Sequence, residues 1–276
     1  MLERFQHYMI PQYILDRKGA RSLKDLNPEV IDYLSKGLVE TKNLMEWLAT
    51  DQLQLLKLVL KEINKEDWYS MFDVAINNQK KPTANSNTKI IGQTFGQMTE
   101  DKTVYNTLKT HTSDIVRCWS CWAESLHYDD LSDLLKAMKS YAADKHFGVR
   151  EIVILATKER MIENLELAIN ILTPWTSSDD ENVRRYAAES MRPVGVWVKK
   201  IARFQEDPDL ALPILEPLKS DASKYVRDAV ANWINDASKS QPEWAKQLCK
   251  RWEKESTTKE TAYIVKRGMR TLEKRK

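Results

Sequence analysis

An all-α fold is predicted by three features of the 276-residue sequence. Apolar residues recur at helical rather than alternating spacing, and no Val/Ile/Thr runs bounded by turn signals suggest strands. Glycine is scarce, with only seven in the chain. The third feature is repetition: FGVREIVILA at 147–156, ENVRRYAAES at 181–190 and KYVRDAVANW at 224–233 each open a helix with Val-Arg in the same phase. The Val-to-Val intervals, 149 to 183 and 183 to 226, are 34 and 43 residues. Each opening follows another amphipathic segment, NLELAINILTPW before the second and DLALPILEPLKS before the third, with the polar turns SSDDEN and SDASK between. A helical pair per unit at this period predicts an α-solenoid of the HEAT or armadillo kind. Such units cannot bury their apolar faces alone, so they stack into a curved superhelix and offer a concave groove for binding.

Along the chain, helical stretches are expected around 27–62 and 66–77, and the polar segment NNQKKPTANSNTK at 77–89 reads as a loop or boundary. Residues 1–110 form a helical region with no assigned role, and 111–276 form the repeat region, continuous with it as one solenoid. Cys118 and Cys121 make a C-x-x-C, but Cys249 stands far away and no second ligand pair completes a zinc site, so all three read as packed thiols. His7, His111, His127 and His146 lie apart and pair with no nucleophile. No metal is implied. In the third repeat Val226, Ala229, Val230 and Trp233 form the buried stripe, while Arg227, Asn232, Asn235 and Asp236 crowd the same turns where Glu and Lys would suffice for solubility.

With 42% hydrophobic and 30% charged residues the chain is expected to be globular. It shows no apolar run of signal-peptide length and none of the ~18 to 20 residues a membrane span needs, which points to the cytoplasm. Net charge is only +3, yet residues 183–276 hold 21 Lys and Arg against 13 Asp and Glu. That asymmetry suits a third that faces a polyanion such as a nucleic-acid backbone, and it equally suits a solvated surface. The repeated Arg150, Arg184 and Arg227 have two readings: bonds to backbone or Asp of the neighbouring unit, or contacts to phosphate. Arg185 and Arg192 stand outside the shared position and are better candidates for DNA. Trp175, Trp197, Trp233, Trp244 and Trp252 crowd the same third, mostly as core. Trp197 differs, because Pro193 and Gly195 in MRPVGVW interrupt the helix and could turn its indole toward a ligand.

VRRYAAESMRP at 183–193, the segment 207–244 from DPDLALPILEP to ASKSQPEW, and TAYIVKRGMRTLEKR at 261–275 resemble the HEAT-like-repeat DNA alkylation repair glycosylases of the AlkC/AlkD superfamily, the AlkC branch most closely. The resemblance implies cleavage of the N-glycosidic bond of cationic alkylated bases such as 3-methyladenine or 7-methylguanine in duplex DNA. It also implies a site of Glu151 on an inner helix, Trp197 after the Arg-Pro motif, and Asp236. Phosphate contacts would come from Arg184, Arg185, Arg192, Lys239, Lys266 and Arg267, with no cofactor and with the protein acting as a monomer. The chemistry is coherent without the name. An alkylated purine already carries positive charge and leaves well, so the protein must mainly stabilise an oxocarbenium-like sugar and position water. Carboxylates suit both tasks. A Trp face adds cation–π attraction. Glu151 lies about 200° from Val149 around its helix, off the apolar stripe. Against this stand solvated or repeat-to-repeat carboxylates, a relative that binds distorted or branched DNA without chemistry, and a protein-binding HEAT scaffold.

Overall fold

The computed structural model describes residues 9–195 and 199–274, and every regular element among them is helical. The chain divides into two compact units, Met1–Leu126 and His127–Lys276. No helix among the described residues is long and apolar enough to cross a membrane.

The first unit contains α1 (Gln12–Leu15), α2 (Pro28–Ser35), α3 (Leu44–Ala49), α4 (Gln52–Glu62), α5 (Tyr69–Asn77), α6 (Ala84–Met98), α7 (Lys102–Lys109) and α8 (Asp114–Glu124). Its centre is the packing of α6 on α8. The two backbones approach closely because Gly92 and Gly96 present no side chain: a Cβ at 92 would lie 2.4 Å from the Trp122 Cβ, and one at 96 would lie 2.7 Å from the Ala123 carbonyl oxygen. Phe95 bridges the rings of Phe72 and Trp119, with centroids 4.6 and 6.3 Å away. Cys118 and Cys121 are both fully buried in α8, as small hydrophobic side chains would be.

The loop expected over 77–89 is shorter than its composition suggests. Thr83 caps α6 through its hydroxyl, which accepts from the Ser86 amide at 3.1 Å, while the Ser86 hydroxyl accepts from the Thr83 amide at 2.9 Å. This reciprocal cap starts the helix inside the polar run, so Ala84 to Lys89 form its first turns.

The second unit contains α9 (Leu131–Ala142), α10 (Phe147–Glu163), α11 (Leu165–Leu172), α12 (Glu181–Ser190), α13 (Ala202–Glu206), α14 (Leu212–Leu215), α15 (Lys224–Ala237), α16 (Pro242–Glu255), α17 (Lys259–Gly268) and α18 (Arg270–Glu273). The three helices that open with Val-Arg pack in sequence, α10 on α12 and α12 on α15, and α17 continues the row against α15. α9 and α11 pack against α10, and α16 packs against α15 and α17. The longer interval before the third repeat is taken up between α12 and α15. There Pro208, Pro213 and Pro217 break the expected amphipathic helix into one-turn pieces, 208–211, 212–215 and 216–218.

The Val-Arg pair has one structural role throughout. The valine is buried, and the arginine folds back to donate to the carbonyl six residues earlier and, in Arg184, Arg227 and Arg117, also to the one five residues earlier, closing the preceding turn. Arg184 Nη1 donates to Ser178 and Asp179 at 2.8 and 3.0 Å. Arg227 Nη1 donates to Asp221 and Ala222 at 2.9 and 2.7 Å, and Arg150 Nη1 to Asp144 at 2.6 Å. A fourth copy stands in the first unit, where Arg117 Nη1 donates to His111 and Thr112 at 2.9 and 3.1 Å. Its valine, Val116, precedes Val149 by 33 residues, so the repeat begins one unit earlier than the three matching segments indicate.

Candidate active site

The polar residues that crowd α15 have separate partners. Asn232 accepts from Arg270 Nη2 at 2.8 Å, and Asn235 accepts from the Thr271 hydroxyl at 2.8 Å, so both tie the C-terminal turn to the third repeat. Asp236, only 3% exposed, is held from other positions. Its Oδ2 accepts from Arg192 Nη2 and Nε at 2.6 and 2.9 Å, and its Oδ1 accepts from Lys239 at 2.7 Å. Both oxygens are therefore held by charge-assisted bonds.

These contacts belong to a ladder of alternating charge that crosses three neighbouring helices. Arg192 Nη1 donates to Glu189 Oε1 at 2.6 Å, the other Glu189 oxygen lies 3.9 Å from Arg185 Nη2, and that same nitrogen donates to Glu151 Oε1 at 2.6 Å. The order is Glu151 on α10, Arg185, Glu189 and Arg192 along or just after α12, then Asp236 on α15 with Lys239 beyond it. Three carboxylates thus alternate with three cations and balance them. Arg185 also lies over the Tyr225 ring at 4.3 Å, and Arg150 lies 5.2 Å from the same ring. Burial by itself would lower the pKa of Arg185 and of Arg192. The facing carboxylates, Glu151 and Glu189 for the first and Glu189 and Asp236 for the second, reverse that and raise both.

Beneath the ladder lies Lys158, 2% exposed on α10. Its ammonium donates to the carbonyls of Ser190 and Arg192 at 2.6 and 3.2 Å. Burial brings its pKa down to about 7, with Glu189 opposing and Arg192 assisting the shift.

The structure brings together Glu151, Arg185, Arg192, Asp236 and Lys239. Arg184 sits elsewhere: besides its two carbonyls, it makes a paired bond to Asp221 of the next repeat at 2.7 and 3.0 Å, which uses its donors within the protein. Lys266 and Arg267 lie exposed on α17, with Arg267 Nε 3.1 Å from Asp228. Trp197 lies outside the described residues, between Gly195 and Lys199. The other tryptophans of this third are core or edge residues: Trp233 donates to the Met191 carbonyl at 2.8 Å, Trp244 to Asp209 at 2.7 Å and Trp252 to Glu216 at 3.1 Å.

Sequence reasoning missed Glu189, Tyr225 and Lys158. Glu189 carried a signal, since it stands four residues after Arg185 and three before Arg192, on the face both share. Lys158 stands seven residues after Glu151, two turns along the same face of α10.

A row of helices that each open with a turn-closing Val-Arg, joined by a ladder of ion pairs that runs from exposed Glu151 to buried Asp236, defines a HEAT-like helical-repeat protein. Residues 151–264 match the family model described as DNA alkylation repair enzyme. Three solved structures share the fold. Alkylpurine DNA glycosylase AlkC of Pseudomonas fluorescens, bound to DNA containing an abasic site analog, is 22% identical at a TM-score of 0.66, covering 92% of this chain and 65% of its own. AlkD2 of Streptococcus mutans is 22% identical at 0.57, covering 74% and 97%, and smu.31 of Streptococcus mutans UA159 is 23% identical at 0.52, covering 77% and 96%. A curated relative, the uncharacterized protein YhaZ of Bacillus subtilis (strain 168), is 36% identical over 149 residues. Those residues make up 54% of this chain and 39% of YhaZ. The chain thus spans less than two thirds of the length of YhaZ and of AlkC. The matches bear out the resemblance: the chain shares the helical-repeat fold of AlkC and AlkD2, and residues 151–264 match the DNA alkylation repair enzyme model.

Proposed function

We propose that this protein is a DNA N-glycosylase that releases cationic alkylated bases, of the 3-methyladenine and 7-methylguanine type, from duplex DNA. The observation that carries the reading is the ladder itself. It lies within the residues that match the alkylation-repair model, and it holds two carboxylates, Glu151 and Asp236, against cationic groups. A cationic base, or the oxocarbenium-like sugar formed as it leaves, makes the same demand on a carboxylate that a guanidinium does. AlkC, which shares the fold, is itself an alkylpurine DNA glycosylase bound to DNA.

In this reading Asp236 stabilises positive charge on the sugar, and the more exposed Glu151 orients the attacking water or assists from the far end of the ladder. Trp197 stacks on the charged base. Exposed Lys239, Lys266 and Arg267 contact phosphates, as do Arg185 and Arg192 once DNA draws them from their carboxylates. A phosphate that reaches Lys239 or Arg192 removes a cation from Asp236 and leaves its negative charge facing the base. Arg184 holds two repeats together. Excision needs no cofactor, and the protein works as a cytoplasmic monomer.

One observation favours a second reading. Both oxygens of Asp236 are already occupied and the side chain is nearly inaccessible, which suits a relative that binds distorted DNA without chemistry. Incubation of the purified protein with methylated duplex DNA, followed by quantification of free 3-methyladenine, 7-methylguanine and 3-methylcytosine, decides between them. Release that collapses in Glu151→Gln or Asp236→Asn supports the glycosylase. No release from protein that binds the same DNA supports the second reading.

A further inference from the structure

The last carbonyls of a helix have no partner within it, and most helices that end sharply turn through a glycine that lets later amides reach back. α12 ends at Ser190 and runs into Met191, Arg192 and Pro193 with no glycine at the turn. Its carbonyls are met from outside. Lys158 takes those of Ser190 and Arg192, Trp233 Nε1 takes that of Met191 at 2.8 Å, and the Ile201 amide takes that of Pro193 at 3.0 Å. Four successive carbonyls are thereby fixed, two of them by one ammonium.

Packing alone does not call for a lysine here. A methionine would fill the volume of the stem without the cost of burying an ammonium. What the ammonium adds is aim. Arg192 follows the helix end directly, and its guanidinium must bridge Glu189 and Asp236 at 2.6 Å on each side. Charged groups reach Lys158 from α12 and the turn after it: Glu189 attracts its ammonium and Arg192 repels it. α10 therefore meets the ladder at two points, with Glu151 on Arg185 and Lys158 on the backbone at Arg192.

We propose that Lys158 is a positioning residue of this site: by holding the Ser190 and Arg192 carbonyls it sets the backbone from which Arg192 reaches Asp236. The proposal rests on the glycosylase reading for its consequence in rate, and on the backbone alone for its consequence in structure.

Lys158→Met tests it, with Lys158→Arg as the conservative counterpart and Lys158→Ala supplemented with ethylammonium should the bulkier arginine fail to fold. The expected result is a single-turnover base-release rate lowered by about 10- to 100-fold in Lys158→Met, the range a misplacement near 1 Å produces, with DNA affinity within about threefold of wild type. Arg or added ethylammonium restores part of the rate. Hydrogen exchange supplies a readout that needs no activity: amides in 191–195 and 199–203 exchange faster in Lys158→Met while α15 is unchanged. A wild-type protein that releases no base overturns the glycosylase reading, and exchange still tests the lysine. Unchanged exchange at the turn, or exchange raised equally through α10, α12 and α15, overturns the positioning role. So does a base-release rate that follows only the fraction unfolded.

Discussion

Removing the charge of Asp236 separates a carboxylate that holds the fold from one that does chemistry. In Asp236→Asn the volume is kept, but a buried group loses the charge that three donors face: Arg192 Nη2 and Nε at 2.6 and 2.9 Å, and Lys239 Nζ at 2.7 Å. Each charged bond contributes about 1.5 to 3 kcal/mol, and the half-exposed Lys239 must be discounted for solvent screening. Asparagine can still accept one of the bonds, so the loss comes to about 2 to 4 kcal/mol. Arg192→Met strands the same carboxylate at 3% exposure, with Lys239 left to it, and costs about 3 kcal/mol. The double variant removes both charges of the pair and should cost less than the two single losses together, by about 2 kcal/mol. Thermal unfolding of the second unit reads these differences at about 2 to 4 °C per kcal/mol. Base release from methylated DNA is then measured well below each midpoint. The glycosylase reading expects Asp236→Asn to lose about 100-fold or more in rate there, and Arg192→Met to lose less, because it keeps the carboxylate. Losses in stability that simply add, within about 0.5 kcal/mol, would refute a working Arg192–Asp236 contact. Equal loss of rate in both variants would refute a separate role for the carboxylate.

Lys158 has a folded pKa of about 7 against an ordinary value of 10.5, so the folded state binds fewer protons than the unfolded state between those values. Stability contributed by this group is therefore lowest below pH 7 and rises toward pH 10, by several kcal/mol at most. The difference in midpoint between wild type and Lys158→Met, which cancels other alkaline titrations, should shift in favour of wild type from pH 7 to pH 9.5, and a flat difference refutes the titration. Arg184→Met should cost about 2 to 4 kcal/mol in urea unfolding, because it strands Asp221 and opens the turn before α12. Loss below about 0.5 kcal/mol would make that pairing incidental. Replacing Lys266 and Arg267 with Gln should weaken DNA binding evenly across sequences and lower the magnitude of the salt slope by about one for each residue that contacts phosphate. An unchanged slope removes α17 from the interface.

Helical spacing was enough to predict the class of fold, since a period of 3.6 survives whatever the partner is. The repeat was visible for a physical reason too. Val fills the same interior position and Arg closes the same turn in each unit, so both recur at fixed phase. Its first copy, at Val116-Arg117, is embedded in the aromatic DIVRCWSCWAE, whose Trp and Cys hide the likeness to the later units. The segment at 77–89 misled because polarity reports exposure, and an exposed first turn with a reciprocal Thr-Ser cap is as polar as a loop. Asp236 could be singled out because a carboxylate among Asn and Trp is unusual on a helix. Its pairing with Arg192 could not, because Arg192 comes from the turn after another helix, and separation in sequence carries no record of a 2.6 Å contact.

The ladder also bears on why the carboxylates are paired at all. A buried charge left without a partner is costly, and a paired one less so. Arg185, Arg192 and Lys239 pair with Glu151, Glu189 and Asp236 and leave the ladder without net charge. The arrangement stores negative charge in a form that competing cations can draw on. On the proposed reading, duplex DNA would supply that competition twice, through phosphates that attract the arginines and through a cationic base that replaces them. An arginine bound as tightly as Arg184 is to Asp221, with its remaining donors on backbone carbonyls, could not be exchanged in this way. Arg192 has no such backbone anchor among its described contacts: its guanidinium meets carboxylates only. The distinction is open to measurement by the salt dependence of base release in Arg192→Lys. A lysine keeps the charge but gives up the forked contact, so the exchange should become easier and the rate less sensitive to salt. A rate that stays as salt-sensitive as wild type would leave Arg192 a fixed part of the frame.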